Sequence, residues 1–90
     1  MFVPIENVRA VTRKEEARRI EEDIENLTEG INAAITKAAN EGYFHVMFDY
    51  YLFDKLPHRV ALSKVIEELK KAGYRVRTDI GSTLFIEWGV

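Results

Sequence analysis

The sequence predicts an α+β domain with the order arm–α–β–α–β–β, in which a long first helix and a second helix pack on one face of a three-stranded mixed sheet. Apolar residues recur at helical spacing over 17–38 and again over 61–72. Alternating aromatic and β-branched residues mark 43–53, 74–80 and 83–89 as strands. A chain of 90 residues suits one domain, which we place at 12–90, after an arm at 1–11.

The composition is that of a globular protein and excludes several classes. Hydrophobic residues make up 47% of the chain and charged residues 31%. The absence of cysteine excludes a disulfide scaffold and thiolate metal sites. The first residues do not have the pattern of a signal peptide, and no apolar run is long enough for a membrane span. We therefore expect a protein that is neither secreted nor membrane-bound and that holds no cofactor.

Residues 1–11 are predicted to form an extended arm, because Pro4 breaks any helix that starts at the first residue. The arm is rich in apolar side chains, which need a surface on the same domain or on a neighbour. These side chains are Phe2, Val3, Ile5, Val8 and Val11.

The long helix is predicted over 12–41. Thr12 and Glu15 have the spacing of a capping box, and Gly42 is the expected stop. The apolar positions keep a 3-4 spacing through three heptads. They are Ala17, Ile20, Ile24, Leu27, Ile31, Ala34 and Ala38, with Ile35 widening the stripe.

Such a helix is about 43 Å long, whereas a compact domain of this size is only about 30 Å across. The first half of the helix therefore overhangs the domain unless Gly30 kinks it back. We predict that a partner covers the overhang, through an association surface formed by Ile20, Ile24, Leu27 and Ile31. In a parallel homodimer Glu16 would face Glu21, so an antiparallel pair, a higher oligomer or a different partner fits better.

The second half of the chain is predicted to fold as β-α-β-β over 43–90. The second helix runs from about Pro57 to Ala72, with Asp54 as a candidate N-cap and Gly73 as its stop. The last two strands form a hairpin around Gly81. One sheet face lacks a cover within the chain and is a second candidate contact surface. It carries His45, Tyr51, Arg75, Arg77 and Phe85.

No residue pattern indicates catalysis or metal binding. The two serines and two histidines do not form a nucleophilic motif, and His45 and Asp49 are about 13 Å apart along a strand, too far to share an ion. Residues 55–77 hold seven Lys/Arg and two Glu, which makes a small anionic ligand an alternative. Its candidate ligands are Arg59, Lys71, Arg75 and Arg77. The isoelectric point of about 5.7 disfavours nucleic acid.

Three segments, INAAITKAANEGYFHV, VIEELKKAGYRV and GSTLFIEW, resemble a pattern that recurs in small proteins of tailed phages. Its marks are a helix ending in A-x-x-G (Ala39 to Gly42), L-x-x-x-GY-x-V (Leu69 to Val76) and a last strand ending I-x-W (Ile86 to Trp88). The resemblance covers about two thirds of the chain and brings no catalytic residues. It implies a phage origin, with the protein in the virion or in the cytoplasm of the infected host.

Two functions follow as expectations. The first is a non-enzymatic, homo-oligomeric assembly protein, such as a virion or capsid-associated subunit that contacts itself or another phage structural protein. The second is a small phage inhibitor that binds a host protein or sequesters an anionic nucleotide ligand.

Overall fold

The computed structural model describes residues 1–50, 56–78 and 81–89. Its elements are α1 (Ile5–Asn40), β1 (His45–Asp49), α2 (Arg59–Lys71), β2 (Arg75–Thr78) and β3 (Thr83–Glu87). The two helices contact each other and pack on one face of the sheet, as the sequence predicts. Among the described residues, no helix is both long enough and apolar enough to cross a bilayer.

The sheet is antiparallel throughout, so the predicted mixed sheet is wrong. The strand order is β1-β3-β2, and β3 pairs antiparallel with both neighbours. The strand–helix–strand connection does make β1 and β2 run in the same direction, but β3 lies between them. The hairpin of β2 and β3 is confirmed, with Val76 opposite Ile86 and Arg77 opposite Phe85.

The helix α1 begins at Ile5 and is 36 residues long, so residues 5–11 do not form an extended arm. Pro4 precedes the helix, and its carbonyl accepts from the N–H groups of Asn7 and Val8 at 3.1 and 3.3 Å. Thr12 is not the N-cap: its hydroxyl donates to the Val8 carbonyl one turn back, at 2.7 Å. Residues 5–11 contain no Gly or Pro, and extending a formed helix costs little free energy, so the helix continues back to the proline.

Both helices end at the predicted glycines. Gly42 and Gly73 have φ of 88° and 102°, a left-handed conformation that glycine adopts without strain. At each end the two expected backbone hydrogen bonds form, for example from the Tyr74 N–H to the Leu69 carbonyl at 3.0 Å. After each of these glycines the chain turns and enters a strand within three residues, β1 after Gly42 and β2 after Gly73.

The core lies between the helices and the inner face of the sheet. Its centre is formed by side chains that are almost completely buried, from α1 and from the central strand: Leu27, Ile31, Leu84 and Ile86. The same buried cluster includes Ala61, Val65 and Leu69 of α2. The sheet contributes Val46, Phe48 and Val76, which are partly buried and pack against it. The core therefore uses only the second half of α1.

Candidate protein-association surface

The first half of α1 extends away from the core as the most exposed part of the molecule. All of residues 1–19 are exposed, and the long axis of the molecule measures 60 Å against 24 and 22 Å for the other two. Because α1 is continuous through Gly30, the overhang expected from its length is present and the helix does not fold back at that glycine. Residues 1–19 are thus largely open to solvent, and Glu16 and Arg19 contact His58 and Leu56 where the helix meets the domain.

Large apolar side chains are concentrated on this overhang and are exposed to solvent. Six of its large apolar side chains are exposed, and Phe2 is 97% exposed. They are Met1, Phe2, Val3, Ile5, Val8 and Val11. Single exposed apolar residues are ordinary, but a contiguous group on one projecting segment is typical of a surface that contacts another protein.

The predicted association surface must be moved along the helix. Leu27 and Ile31 are fully buried inside their own domain, and Ile20 and Ile24 are half-buried against the same core. The physical reason is that α2 crosses this part of α1 and takes up the stripe that a partner was expected to cover. We did not predict that residues 5–11 belong to the helix, although Pro4 followed by seven residues without a breaker carried that signal.

The point where α1 leaves the domain is fixed by polar contacts to His58. The His58 backbone N–H donates to the Asp23 carboxylate at 2.7 Å. Its ring Nδ1 accepts from the Val60 N–H at 3.0 Å, so Nε2 carries the proton and donates to Glu16 at 3.1 Å. His58 is therefore the N-cap of α2, the role predicted for Asp54, which lies outside the described residues.

Two hollows lie on α1 beyond this point, on either side of Asn32. The first is a groove of about 510 Å³ between α1 and α2, with Ile24, Ile31, Val65, Leu69 and Tyr74 among its lining residues. Charged side chains of α2, among them Lys64 and Glu68, line it as well. The second is a shallow depression of about 540 Å³ lined by Asn32, Ala33, Thr36, Lys37, Asn40 and Glu41. Asn32 lines both.

Charge is segregated along the exposed side of α1. Residues 9–19 hold five Lys/Arg and two Glu, whereas residues 20–29 hold five Asp/Glu and no Lys or Arg. Arg18 contacts Glu15 at 3.2 Å and Arg19 contacts Asp23 at 3.7 Å within the helix. The overhang is therefore basic near its junction with the domain, and the part of α1 that follows it is acidic.

The candidate anion ligands are not brought into one site. Arg59 and Lys71 lie at opposite ends of α2, about 18 Å apart at the helical rise. A hydrogen bond and the charge of Glu67 raise the pKa of Lys71, with a further contribution from Glu68. Arg77 and Arg75 share the carboxylate of Glu87, at 3.0 and 3.6 Å. Three of the four cations are therefore already paired with carboxylates.

The outer sheet face is the open surface predicted from the sequence, for the part that is described. Arg77 lies over the Phe85 ring at 5.4 Å, and Met47 is opposite Phe85 on the other side. Tyr51, assigned to the same face, lies outside the described residues. Within the described ranges, no group of three or more His, Asp or Glu side chains is placed to hold a metal ion.

Comparison of the chain with protein-family models, with characterised proteins and with solved structures gave no match.

Proposed function

We propose that this chain is a non-enzymatic assembly subunit that associates with itself through the overhanging first half of α1. The observation that carries the proposal is the projecting segment of residues 1–19, in which every residue is exposed and six large apolar side chains are open to solvent. Burial of apolar surface is the main driving force of protein association, at about 25 cal/mol per Å². A helix that projects into water with such a surface is stabilised when another protein covers it.

A phage virion or capsid-associated role is the setting we propose for this subunit. It rests on the resemblance of the segments between Ile31 and Trp88 to small proteins of tailed phages. The surface features support association in general, and the resemblance supplies the context. The inhibitor alternative loses its motivation in the anionic-ligand form, because Arg75, Arg77 and Lys71 already contact carboxylates.

Native mass spectrometry at two protein concentrations tests the proposal. We expect a defined oligomer for the natural sequence and at least a tenfold weaker association for the double variant Val3→Glu/Val11→Glu, since charges are then placed in the apolar contact. Val3 and Val11 are 67% and 63% exposed, so the variant leaves the core intact.

The matched control is Met47→Glu/Val60→Glu, which adds the same charge at two exposed apolar side chains on the body of the domain. This control should associate like the natural sequence. A natural sequence that stays monomeric at both concentrations, or a control that weakens association as much as the test variant, would contradict the proposal.

A further inference from the structure

We infer that the partner is a second copy of this chain, packed antiparallel along α1 about a two-fold axis between Arg19 and Ile20. This inference rests on the proposed function, self-association, and deepens it by giving the direction and the register of the contact. The contact would be made along a second stripe of α1, which we call the polar seam. It consists of Asn7, Val11, Lys14, Arg18, Glu21, Glu25, Thr28 and Asn32.

The polar seam is a continuous, exposed heptad stripe. Its spacing is 4-3-4-3-4-3-4, which keeps every member on one side of the helix, and every member is exposed. In an ideal helix this stripe lies about 130° around the axis from the stripe that enters the core. A partner helix on the seam therefore leaves Leu27 and Ile31 packed in their own domain and lies beside the groove that Thr28 and Asn32 line.

The charged residues of the polar seam face residues of opposite charge only when the second copy runs antiparallel. About an axis between residues 19 and 20, Arg18 lies opposite Glu21 of the second copy and Lys14 lies opposite Glu25. Each pair occurs twice, and opposite charges at facing positions select register and direction. In a parallel pair each of these residues would face its own copy, giving like charges at four positions.

The outer members of the seam complete the match. In the same register Asn7 lies opposite Asn32, and Val11 lies opposite Thr28. Asn32 lines both hollows and Thr28 lines the groove between α1 and α2. The same register carries Phe2 and Val3 of each copy toward Lys37 and Thr36 of the other, which line the shallow depression. One register thus places opposite charges together at the centre and the residues before α1 over the shallow depression at both ends.

Cysteine cross-linking tests the arrangement against a background without native cysteine. With Val11→Cys/Thr28→Cys, oxidation should give a covalent dimer, because residue 11 of each copy meets residue 28 of the other. Within one chain these positions are about 25 Å apart along the helix and cannot bond. Val11→Cys alone should stay uncross-linked, since the two copies of residue 11 are equally far apart.

A charge exchange provides an independent test of direction. Lys14→Glu and Glu25→Lys, each alone, should raise the dissociation constant about tenfold, because each places like charges opposite one another twice. The double variant Lys14→Glu/Glu25→Lys should recover the natural value, since both pairs are again of opposite charge. Circular dichroism checks that helix content is unchanged in all three variants.

The outcomes separate this inference from the proposed function. A natural sequence that dimerises while Val11→Cys alone cross-links, or while the charge exchange fails to recover association, overturns the antiparallel register and leaves self-association standing. A natural sequence that remains monomeric overturns both.

Discussion

His58 links the two helices through contacts that each involve a different part of the residue. Its backbone N–H donates to Asp23, its Nδ1 caps α2 and its Nε2 donates to Glu16. A capping side chain satisfies an N–H group that the first turn of a helix leaves unpaired. Because Glu16 and Asp23 both belong to α1, one residue sets where α2 starts and where the overhang leaves the domain.

We expect His58→Ala to lower the free energy of unfolding by about 1 kcal/mol, the usual cost of losing an N-cap. Urea denaturation followed by circular dichroism measures the change. His45→Ala is the matched control, because His45 is exposed on the open sheet face and should change stability by less than about 0.5 kcal/mol. Equal effects of the two substitutions would show that the cap contributes nothing.

At the scale of the elements, the two halves of α1 differ in burial. The half that begins near Ile20 packs in the core, and the half before it remains exposed. The apolar heptad stripe begins at Ala17, and the same spacing before it meets Arg13, Ala10 and Glu6, so the stripe starts close to where the domain begins to cover the helix. The division is made by α2 and the sheet, which pack around Leu27 and Ile31 in the second half of α1.

We expect Leu27→Ala to lower the free energy of unfolding by about 3 kcal/mol, because it leaves a cavity at a fully buried position. Val11→Ala, on the exposed half of the same helix, should change stability by less than about 0.5 kcal/mol. Urea denaturation at a concentration where the protein is monomeric measures both. If Leu27→Ala abolished association and left stability unchanged, Leu27 would belong to the association surface after all.

Local chemistry explains which elements could be predicted from the sequence. Gly42 and Gly73 end the two helices as expected, because left-handed backbone strongly favours glycine. The start of α1 could not be placed by a capping pattern, since Thr12 is equally able to bond back to the Val8 carbonyl inside a helix. The central place of β3 was also beyond the sequence, because either strand of the β2–β3 hairpin could pair with β1.

The association surface, too, was predictable where it depends on local sequence and not where it depends on long-range contacts. Length alone predicted an overhang, since the helix expected over 12–41 is about 43 Å long, and the observed helix of 36 residues is longer still, at about 54 Å. Which residues it exposes depends on where α2 crosses, a long-range contact that no local pattern encodes. The overhang was therefore predictable, while Leu27 and Ile31 were assigned to the wrong side of its boundary.

The whole molecule is more extended than its chain length requires. Its radius of gyration is 16.3 Å, compared with about 12 Å for a compact domain of the same length. An extended monomer exposes more surface to water than a compact domain of the same length, and association would cover part of that surface. The position of the inferred two-fold axis matters here, because it decides whether a dimer is longer or merely thicker than one chain.

Small-angle X-ray scattering distinguishes these shapes. Residues 20–40 occupy about 31 Å of helix, so an axis between Arg19 and Ile20 lies near the middle of the 60 Å long axis. The antiparallel dimer should therefore keep a maximum dimension of about 60–65 Å, while its scattering mass doubles. A dimer joined only through residues 1–15 would measure about 100 Å, because each domain would lie beyond the tip of the other. A dimension near the larger value would place the contact at the apolar tips and exclude the polar seam as the interface.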